Sequence, residues 1–425
     1  MKLLLLLNIL VLSCSYLNNW FPVVPISSTN FNDPFSIKIL NKDFLVWKKD
    51  DNFFINDNVC PHRKAPLSEG FFDKKTKNIR CSYHGWEFDT NGKCTTIPQS
   101  INPNDITNQK CSLKTYQTKV KHDLLWIFLG NFTHQPIEDY NVNSDKLYYM
   151  RDLPFNFYFL LENFFDPAHI PFAHHKLQSS RNKASPLDIT ILTELKNKQE
   201  ISFLFQNQKN TAGLVQFKYP QYYKVDSNIN NPKKPISQIH MFIIPIDEMN
   251  TRIIMKPEFN KKFPLYWLIK SIPQWIIHLY LNRFLDSDSY LLYKQMEYFN
   301  YENSSYFHNN QYYMPTSSDD SVRFYKKWIK KRLKYIPFYK KTNFNFKSKK
   351  QVLDRYNQHT VMCTYCQNML QTLYFIKTKM AFFTLLLYIL KKNILLLVFS
   401  IFQYFFATSI IQKFYYKDYI HNEIA

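Results

Sequence analysis

Acidic residues are in deficit: 33 Asp and Glu against 54 Lys and Arg leave a formal charge of +21. Such a balance can mark a nucleic-acid binder, but no nucleic-acid motif accompanies it. A membrane surface or an acidic redox partner matches it better. Glycine is scarce, at 5 in 425 residues, so the breaks between apolar runs fall to Asn-Asp, Asn-Gly and Pro signals. The 7 cysteines show no disulfide framework. No internal repeat is apparent, which removes solenoids and propellers from consideration. What is abundant is aromatic, with 38 Phe and 30 Tyr. The length allows two domains plus extensions.

Long charge-free runs sit near the two ends. Residues 1–19 start Met1-Lys2, run apolar from Leu3 to Leu12 with a break at Asn8, and reach small residues at Ser13-Cys14-Ser15. This is the pattern of a signal or targeting segment, too short to span as a membrane helix. Val11-Leu12-Ser13-Cys14 also weakly suggests a lipoprotein site, and an apolar start without a targeting role is the bland alternative. At the other end, Ile394–Ile411 carries no charge and is long enough to span. Ala381–Leu390 is a shorter apolar run, and Lys391-Lys392-Asn393 would turn a helical hairpin between them. The first arm must recruit residues from about Met369, with Lys377 and Lys379 snorkelling at an interface. A core helix is the alternative for either arm. Between Val322 and Lys350 stand twelve Lys or Arg and no acid, either a solvated basic face or a patch facing anionic lipid.

Two motifs carry chemistry. Cys60-Pro61-His62-Arg63 and Cys81-Ser82-Tyr83-His84-Gly85-Trp86 read C-x-H and C-x-x-H. Two thiolates and two imidazoles on short loops suit a two-iron, two-sulfide cluster with Cys on one iron and His on the other. On spacing alone, a Cys2His2 zinc site competes. Short β runs surround them at Phe35–Leu40, Phe44–Lys48, Phe53–Asn56 and Leu124–Leu129.

The second motif runs from Glu162 to His174, with skeleton Asp166-x-x-His169-x-x-x-x-His174. Two imidazoles and a carboxylate make the facial triad of non-haem Fe(II) oxygenases. Histidines five apart point about 140° from each other on an ideal helix, so the helix must break here. Pro167 and Pro171 supply the break. His175 is the alternative to His174. Asp166, three residues before His169, can orient that ligand. Helices are expected at 155–166 and 273–302, and strands at Ile189–Leu195, Glu200–Gln206, Gly213–Tyr219 and Gln238–Ile244.

The flanks of the first motif, Arg63 with Pro66–Gly70 and Gly85–Asp89, resemble the Rieske domain. Respiratory Rieske proteins lock the cluster loops with two further cysteines. Those positions here are Ala65 and Tyr83, so the resemblance is to the oxygenase or ferredoxin subtype. From residue 20 onward the chain resembles the pheophorbide a oxygenase group of plastid Rieske oxygenases. The carrying pieces are Cys60–Gly70, Cys81–Asp89, Glu162–His174, Met314–Thr316, Phe324–Trp328, Leu353–Tyr356, His359–Cys366 and Asp418–His421.

That resemblance implies an α+β chain: an N-terminal Rieske β domain, a catalytic α+β domain with an antiparallel sheet, and a C-terminal membrane helical hairpin. The boundaries expected are 1–19 for the targeting segment, 20–136 for the Rieske domain and 137–321 for the catalytic mononuclear iron domain. They continue with a basic linker at 322–368, the hairpin at 369–411 and a tail at 412–425. The cofactors implied are a [2Fe-2S] cluster on Cys60, His62, Cys81 and His84, and mononuclear Fe(II) on His169, His174 and a downstream carboxylate. Asp288 is chosen for the last because Asp288–Gln295 resembles the family's D-x-x-L-L-x-x-Q segment. Asp286 is the runner-up, and a helix-start cap is the bland reading of Asp288. Asp166 would bridge to a cluster histidine of a neighbouring subunit, which makes a homotrimer the implied assembly. Ferredoxin would be the electron donor, O2 the co-substrate, a chlorophyll-derived tetrapyrrole the substrate and a plastid membrane, inner envelope or thylakoid, the location.

The competing class is a non-catalytic Rieske redox component of a plastid envelope complex, or an oxygenase of another hydrophobic substrate. A soluble ferredoxin would need only the first domain. Cys363-Thr364-Tyr365-Cys366 is read as a redox pair, a reversible disulfide open to thioredoxin, because such a pair stands beside the hairpin in this group. His359 adds a third potential ligand, but no second C-x-x-C completes a zinc site.

Overall fold

A computed structural model describes residues 17–130, 136–143, 147–194, 199–207, 212–227, 235–263, 265–301, 312–331 and 346–421. The signal-like segment up to residue 16, Cys14 included, and residues 332–345 of the basic run lie outside them.

The N-terminal part is built of three small antiparallel sheets. Trp20–Pro25 pairs with Leu124–Phe128, which pairs with Thr118–Lys121. Phe35–Ile39, Lys42–Lys49, Asn52–Asp57 and Thr115–Tyr116 form the second sheet. Phe71–Phe72, Ile79–Arg80, Glu87–Phe88 and Cys94–Thr96 form the third; the first Cys-His loop leads into it from Asn52–Asp57 and the second joins Ile79–Arg80 to Glu87–Phe88. Leu45, Trp47, Leu67, Ile79, Phe88, Cys94, Cys111 and Leu113 pack beneath those loops. Burial of about 1.5–3 kcal/mol per large apolar side chain is what anchors a domain with such short strands.

The second part is a seven-stranded antiparallel sheet. Its order is Tyr149–Leu153, Thr251–Phe259, Ser237–Pro245, Tyr222–Ser227, Ala212–Lys218, Glu200–Asn207 and Leu187–Ile191. Three of these strands, Tyr149–Leu153, Tyr222–Ser227 and Thr251–Phe259, were not among the sequence expectations. They carry Arg151, Asp226, Arg252 and Lys256 as buried residues, which hides the alternation.

Helix α1 (Phe157–Phe164) starts at Asn156, whose side chain accepts from the Tyr158 N–H at 2.8 Å. Helix α2 (Gln274–Tyr301) begins right after Pro273, a residue suited to a helix start. Helix α3 (Asp320–Lys330) buries Val322, Tyr325, Trp328 and Ile329 on one face, so the start of the expected basic linker is docked structure. One core runs from Phe21, Ile37 and Trp126 in the first part through Tyr149 and Phe242 to Trp328.

Two apolar helices close the chain. Helix α4 (Thr364–Lys391) begins earlier than the arm expected from about Met369, and widens to a π-helical turn over Ile376–Met380. Lys392 takes the left-handed conformation, and the Asn393 side chain caps helix α5 (Ile394–Tyr415). The helices meet through small residues: Ser400 Oγ donates to the Ala381 carbonyl at 2.6 Å, beside buried Thr384. Phe382, Ile389, Leu390, Leu395, Phe402 and Phe405 face outward and exposed. Both helices are long and apolar enough to cross a membrane.

Candidate active site

The Cys-His loops are tight turns held by backbone bonds. Cys60 N–H donates to the Ala65 carbonyl at 2.8 Å, and Cys81 N–H to the Trp86 carbonyl at 2.9 Å. Gly85 sits at φ +73°, a conformation that disfavours any residue with a Cβ. The sulfurs lie inward and the imidazoles outward: Cys60 and Cys81 are buried, whereas His62 is exposed and His84 half-exposed. The two imidazoles meet edge to face at 4.5 Å, and His62 stacks on Trp86 at 4.6 Å. Burial, with Cys81 alongside, pushes the Cys60 thiol up to about 11. The buried Cys60 thiol resists ionising alone, and bound iron would relieve that. Donors split in this way, sulfur inside and nitrogen at the rim, fit the asymmetric ligation of a Rieske cluster.

His169, His174 and Asp288 come together against one face of the large sheet. Their donor atoms lie within 4.8 Å of one another. His169 ends a 3-10 turn begun by Pro167, and His174 follows the short helix Ile170–Ala173, so the helix breaks between the two histidines. Hydrogen bonds set both tautomers. His169 Nδ1 donates to the backbone carbonyl of Asp166. Ser287 Oγ donates to the Phe284 carbonyl at 2.6 Å, so it accepts from His174 Nδ1 at 2.7 Å. Each imidazole therefore presents the lone pair of Nε2. The two Nε2 atoms are 3.3 Å apart, and Asp288 Oδ2 is 3.3 Å from His174 Nε2 and 3.9 Å from that of His169.

Three lone pairs that close, with no proton between them, repel unless a cation stands among them. Asp288 Oδ1 is buried without a hydrogen-bond partner among the described residues. Burial pushes the Asp288 carboxyl up to about 6. Burial, with His169 and His421 nearby, pushes His174 down to about 3. His174 therefore stays neutral with a lone pair to give, and the donor set fits a facially bound Fe(II).

The neighbouring expectations separate clearly. Asp166 does orient His169, but through its backbone carbonyl; its carboxylate Oδ2 is 3.9 Å from Nδ1 and its Oδ1 caps the Ala168 N–H at 2.8 Å. Burial raises the Asp166 carboxyl. Asp286 is held by two guanidiniums, Arg151 at 2.8 Å and Arg355 at 2.7 Å. Asp288 lies in the middle of α2 and caps nothing. His175 turns elsewhere, its Nδ1 accepting from the Arg181 N–H at 3.1 Å. Sequence reasoning did not foresee the return of the tail: His421 Nε2 reaches the Ser287 carbonyl at 2.9 Å, and Tyr419 OH the Ala173 carbonyl at 3.3 Å.

The histidines open onto a cleft enclosing about 620 Å³ of empty space including its mouth. Phe205, Val215, Tyr223, Val225, Ile239 and Met241 from the sheet make an apolar wall. Asn163 also lines it, with Oδ1 buried and unpartnered among the described residues. The apolar wall and the few polar groups suit a hydrophobic molecule.

Cys363 and Cys366 are buried as free thiols, 4% and 0% exposed, and they face His359 and His278. A redox pair needs access that this burial does not provide. His278 is the residue the sequence reading missed. It belongs to a buried polar stripe on α2, His278, Asn282 and Asp286 at four-residue spacing, and that stripe was its available signal.

An electron-carrying cluster followed in one chain by a dioxygen-binding iron defines the class: a Rieske non-haem iron oxygenase. Residues 19–117 match the Rieske [2Fe-2S] domain family. Residues 217–306 match the pheophorbide a oxygenase family. The chain is 30% identical over 400 residues to "Pheophorbide a oxygenase, chloroplastic" of Oryza sativa subsp. japonica, covering 84% of this chain and 74% of that protein. The chain belongs to the pheophorbide a oxygenase family of Rieske oxygenases. It is also 25% identical over 393 residues to "Flavonoid 8-hydroxylase 2, chloroplastic" of Ocimum basilicum, with 82% and 72% of the two chains covered. Among solved structures, dicamba monooxygenase bound to dicamba shares the fold, with a TM-score of 0.57 at 16% identity, over 74% of this chain and 96% of that one.

Proposed function

We propose that this oxygenase acts on a chlorophyll-derived tetrapyrrole at a plastid membrane. The observation that carries the reading is the 30% identity to rice pheophorbide a oxygenase over most of both chains. The apolar cleft beside His169 and His174 supports it, since a flat macrocycle needs such a wall. The named relatives are chloroplastic, and α4 and α5 would hold the chain in the bilayer. When bound, the cluster would supply single electrons and the iron would supply activation of O2.

The chain's own part is positional. Asp166 and Ser287 would fix the two imidazoles by accepting from Nδ1, so that Nε2 of each stays free to ligate. The sheet wall would exclude water, and Asn163 Oδ1 would accept a hydrogen bond from the substrate. Electrons would enter at the rim where His62 and His84 reach the surface, beside exposed Val59, Phe71 and Tyr83. That apolar rim suits docking of ferredoxin or of a neighbouring subunit in a homotrimer, with Asp166 as the bridge between iron sites.

The flavonoid hydroxylase relative favours a second reading, a planar phenolic substrate in the same cleft. The test is a single turnover. The purified, reduced protein is mixed with O2 and either pheophorbide a or a flavone, and products are resolved by mass. Oxygenated tetrapyrrole supports the proposal; oxygenated flavone alone transfers it to the second reading.

A further inference from the structure

We propose that His278, His359, Cys363 and Cys366 bind one zinc ion that fastens the paired apolar helices to the catalytic domain. This site is separate from both iron centres and stands independently of the substrate reading.

The geometry is that of a single closed ion site. All four donor atoms lie within 4.8 Å of one another, and all four residues are buried. Cys363 Sγ is 3.3 Å and Cys366 Sγ 3.6 Å from His278 Nδ1, and Cys366 Sγ is 3.3 Å from His359 Nε2. Zn–S and Zn–N bonds of about 2.3 and 2.05 Å at tetrahedral angles place S and N about 3.6 Å apart. Among the described residues, only this group and the His169 group close so tightly. The Rieske donors do not, as expected where two irons must fit between them.

The tautomer also agrees. His359 Nδ1 donates to the Met150 carbonyl at 2.6 Å, which leaves the Nε2 lone pair directed at Cys366. Zinc-bound histidines are characteristically fixed through the other nitrogen in this way. Tyr149 packs over His359 at 4.5 Å and meets His278 edge-on at 5.4 Å, with its hydroxyl committed to Asn282 at 2.7 Å. Four protein donors with no open position mark a structural site, and two thiolates select zinc and neutralise its charge.

The placement gives the ion a mechanical role. His278 stands on α2, the helix that also carries Asp288 about 15 Å further along. Cys363 caps α4, and Cys366 lies in its first turn. Around them Leu370, Leu373, Ile411 and Phe414 of the apolar helices pack against Trp275 and Leu279 of α2. One ion here would pin the helical pair to the helix that presents the iron-site carboxylate.

The test uses the full chain, purified in detergent, with metal analysis and zinc-edge X-ray absorption. The expected result is about one zinc per chain, with two sulfur and two nitrogen neighbours at about 2.3 and 2.0–2.1 Å. His278→Ala and Cys366→Ser should each lower zinc content at least tenfold while the Rieske paramagnetic resonance signal persists. The wild-type spectrum needs no variant to fold. Zinc with only nitrogen and oxygen neighbours would overturn the proposal. So would zinc-free protein whose Cys363 and Cys366 form a disulfide that thioredoxin reduces.

Discussion

Arg355 grips Asp286 through both Nε and Nη2, each 2.7 Å from the carboxylate Oδ2. Arg151 takes the other oxygen at 2.8 Å, and all three side chains are buried. The pair joins α2, two residues before Asp288, to the segment that leads into α4. Arg355 also donates to the Lys413 carbonyl at 2.8 Å, so one side chain ties α2 to both ends of the helical pair. Removing one member leaves a buried charge half-compensated. Arg355→Met should therefore cost about 3 kcal/mol. In a double-mutant cycle, Asp286→Asn with Arg355→Met should lose much less than the two single losses summed. Additive losses in thermal unfolding would contradict the coupling.

This relationship also shows what the sequence concealed. The Cys60–His84 loops were legible because their ligands lie within one local motif. His169 and His174 were legible because Pro167 and Pro171 explain an otherwise awkward spacing. Asp288 was preferred to Asp286 on resemblance alone, since both are acids on one helical run; in the fold Arg151 and Arg355, from distant segments, tell them apart. His278 belonged to no motif, because its cysteine neighbours come from far along the chain. The strand Thr251–Phe259 was missed because it buries two cations, Arg252 and Lys256.

Acid should weaken the Rieske domain through Glu87. This carboxylate is buried, which opposes ionisation, yet bonds from Arg80, Thr76 and Asn78 hold it below its ordinary value of 4.5. With the folded value below the unfolded one, the stabilisation is present above about pH 4.5 and is lost as pH falls through the folded value. Glu87→Gln should be less stable than wild type at neutral pH. The gap in melting temperature should narrow as pH drops below about 4.5. A constant gap across that range would show that the charge is not responsible.

Ser287 is the acceptor that orients His174, and Phe284 stacks on the same ring at 4.0 Å. Ser287→Ala keeps the packing and removes the acceptor. Affinity for mononuclear iron should fall about 10–100-fold, read by competition with a chelator. The Rieske signal should not change. Unaltered iron affinity would mean that stacking alone fixes the ring.

Asp166→Asn retains the cap on the Ala168 N–H, because the amide oxygen replaces one carboxylate oxygen. Both metal contents should stay at wild-type levels. Electron transfer from cluster to iron in the assembled protein should slow by orders of magnitude in single-turnover absorbance traces. Traces that overlay wild type would remove Asp166 from the electron path.

The central claim is that one chain holds both an electron-carrying cluster and a separate oxygen-activating iron on His169, His174 and Asp288. Its most direct measurement is iron and acid-labile sulfide per chain in anaerobically purified wild type and His169→Ala. Wild type should hold about three irons and two sulfides, falling to about two irons and two sulfides in the variant. A wild type with only two irons, or a variant that keeps the third, would contradict it.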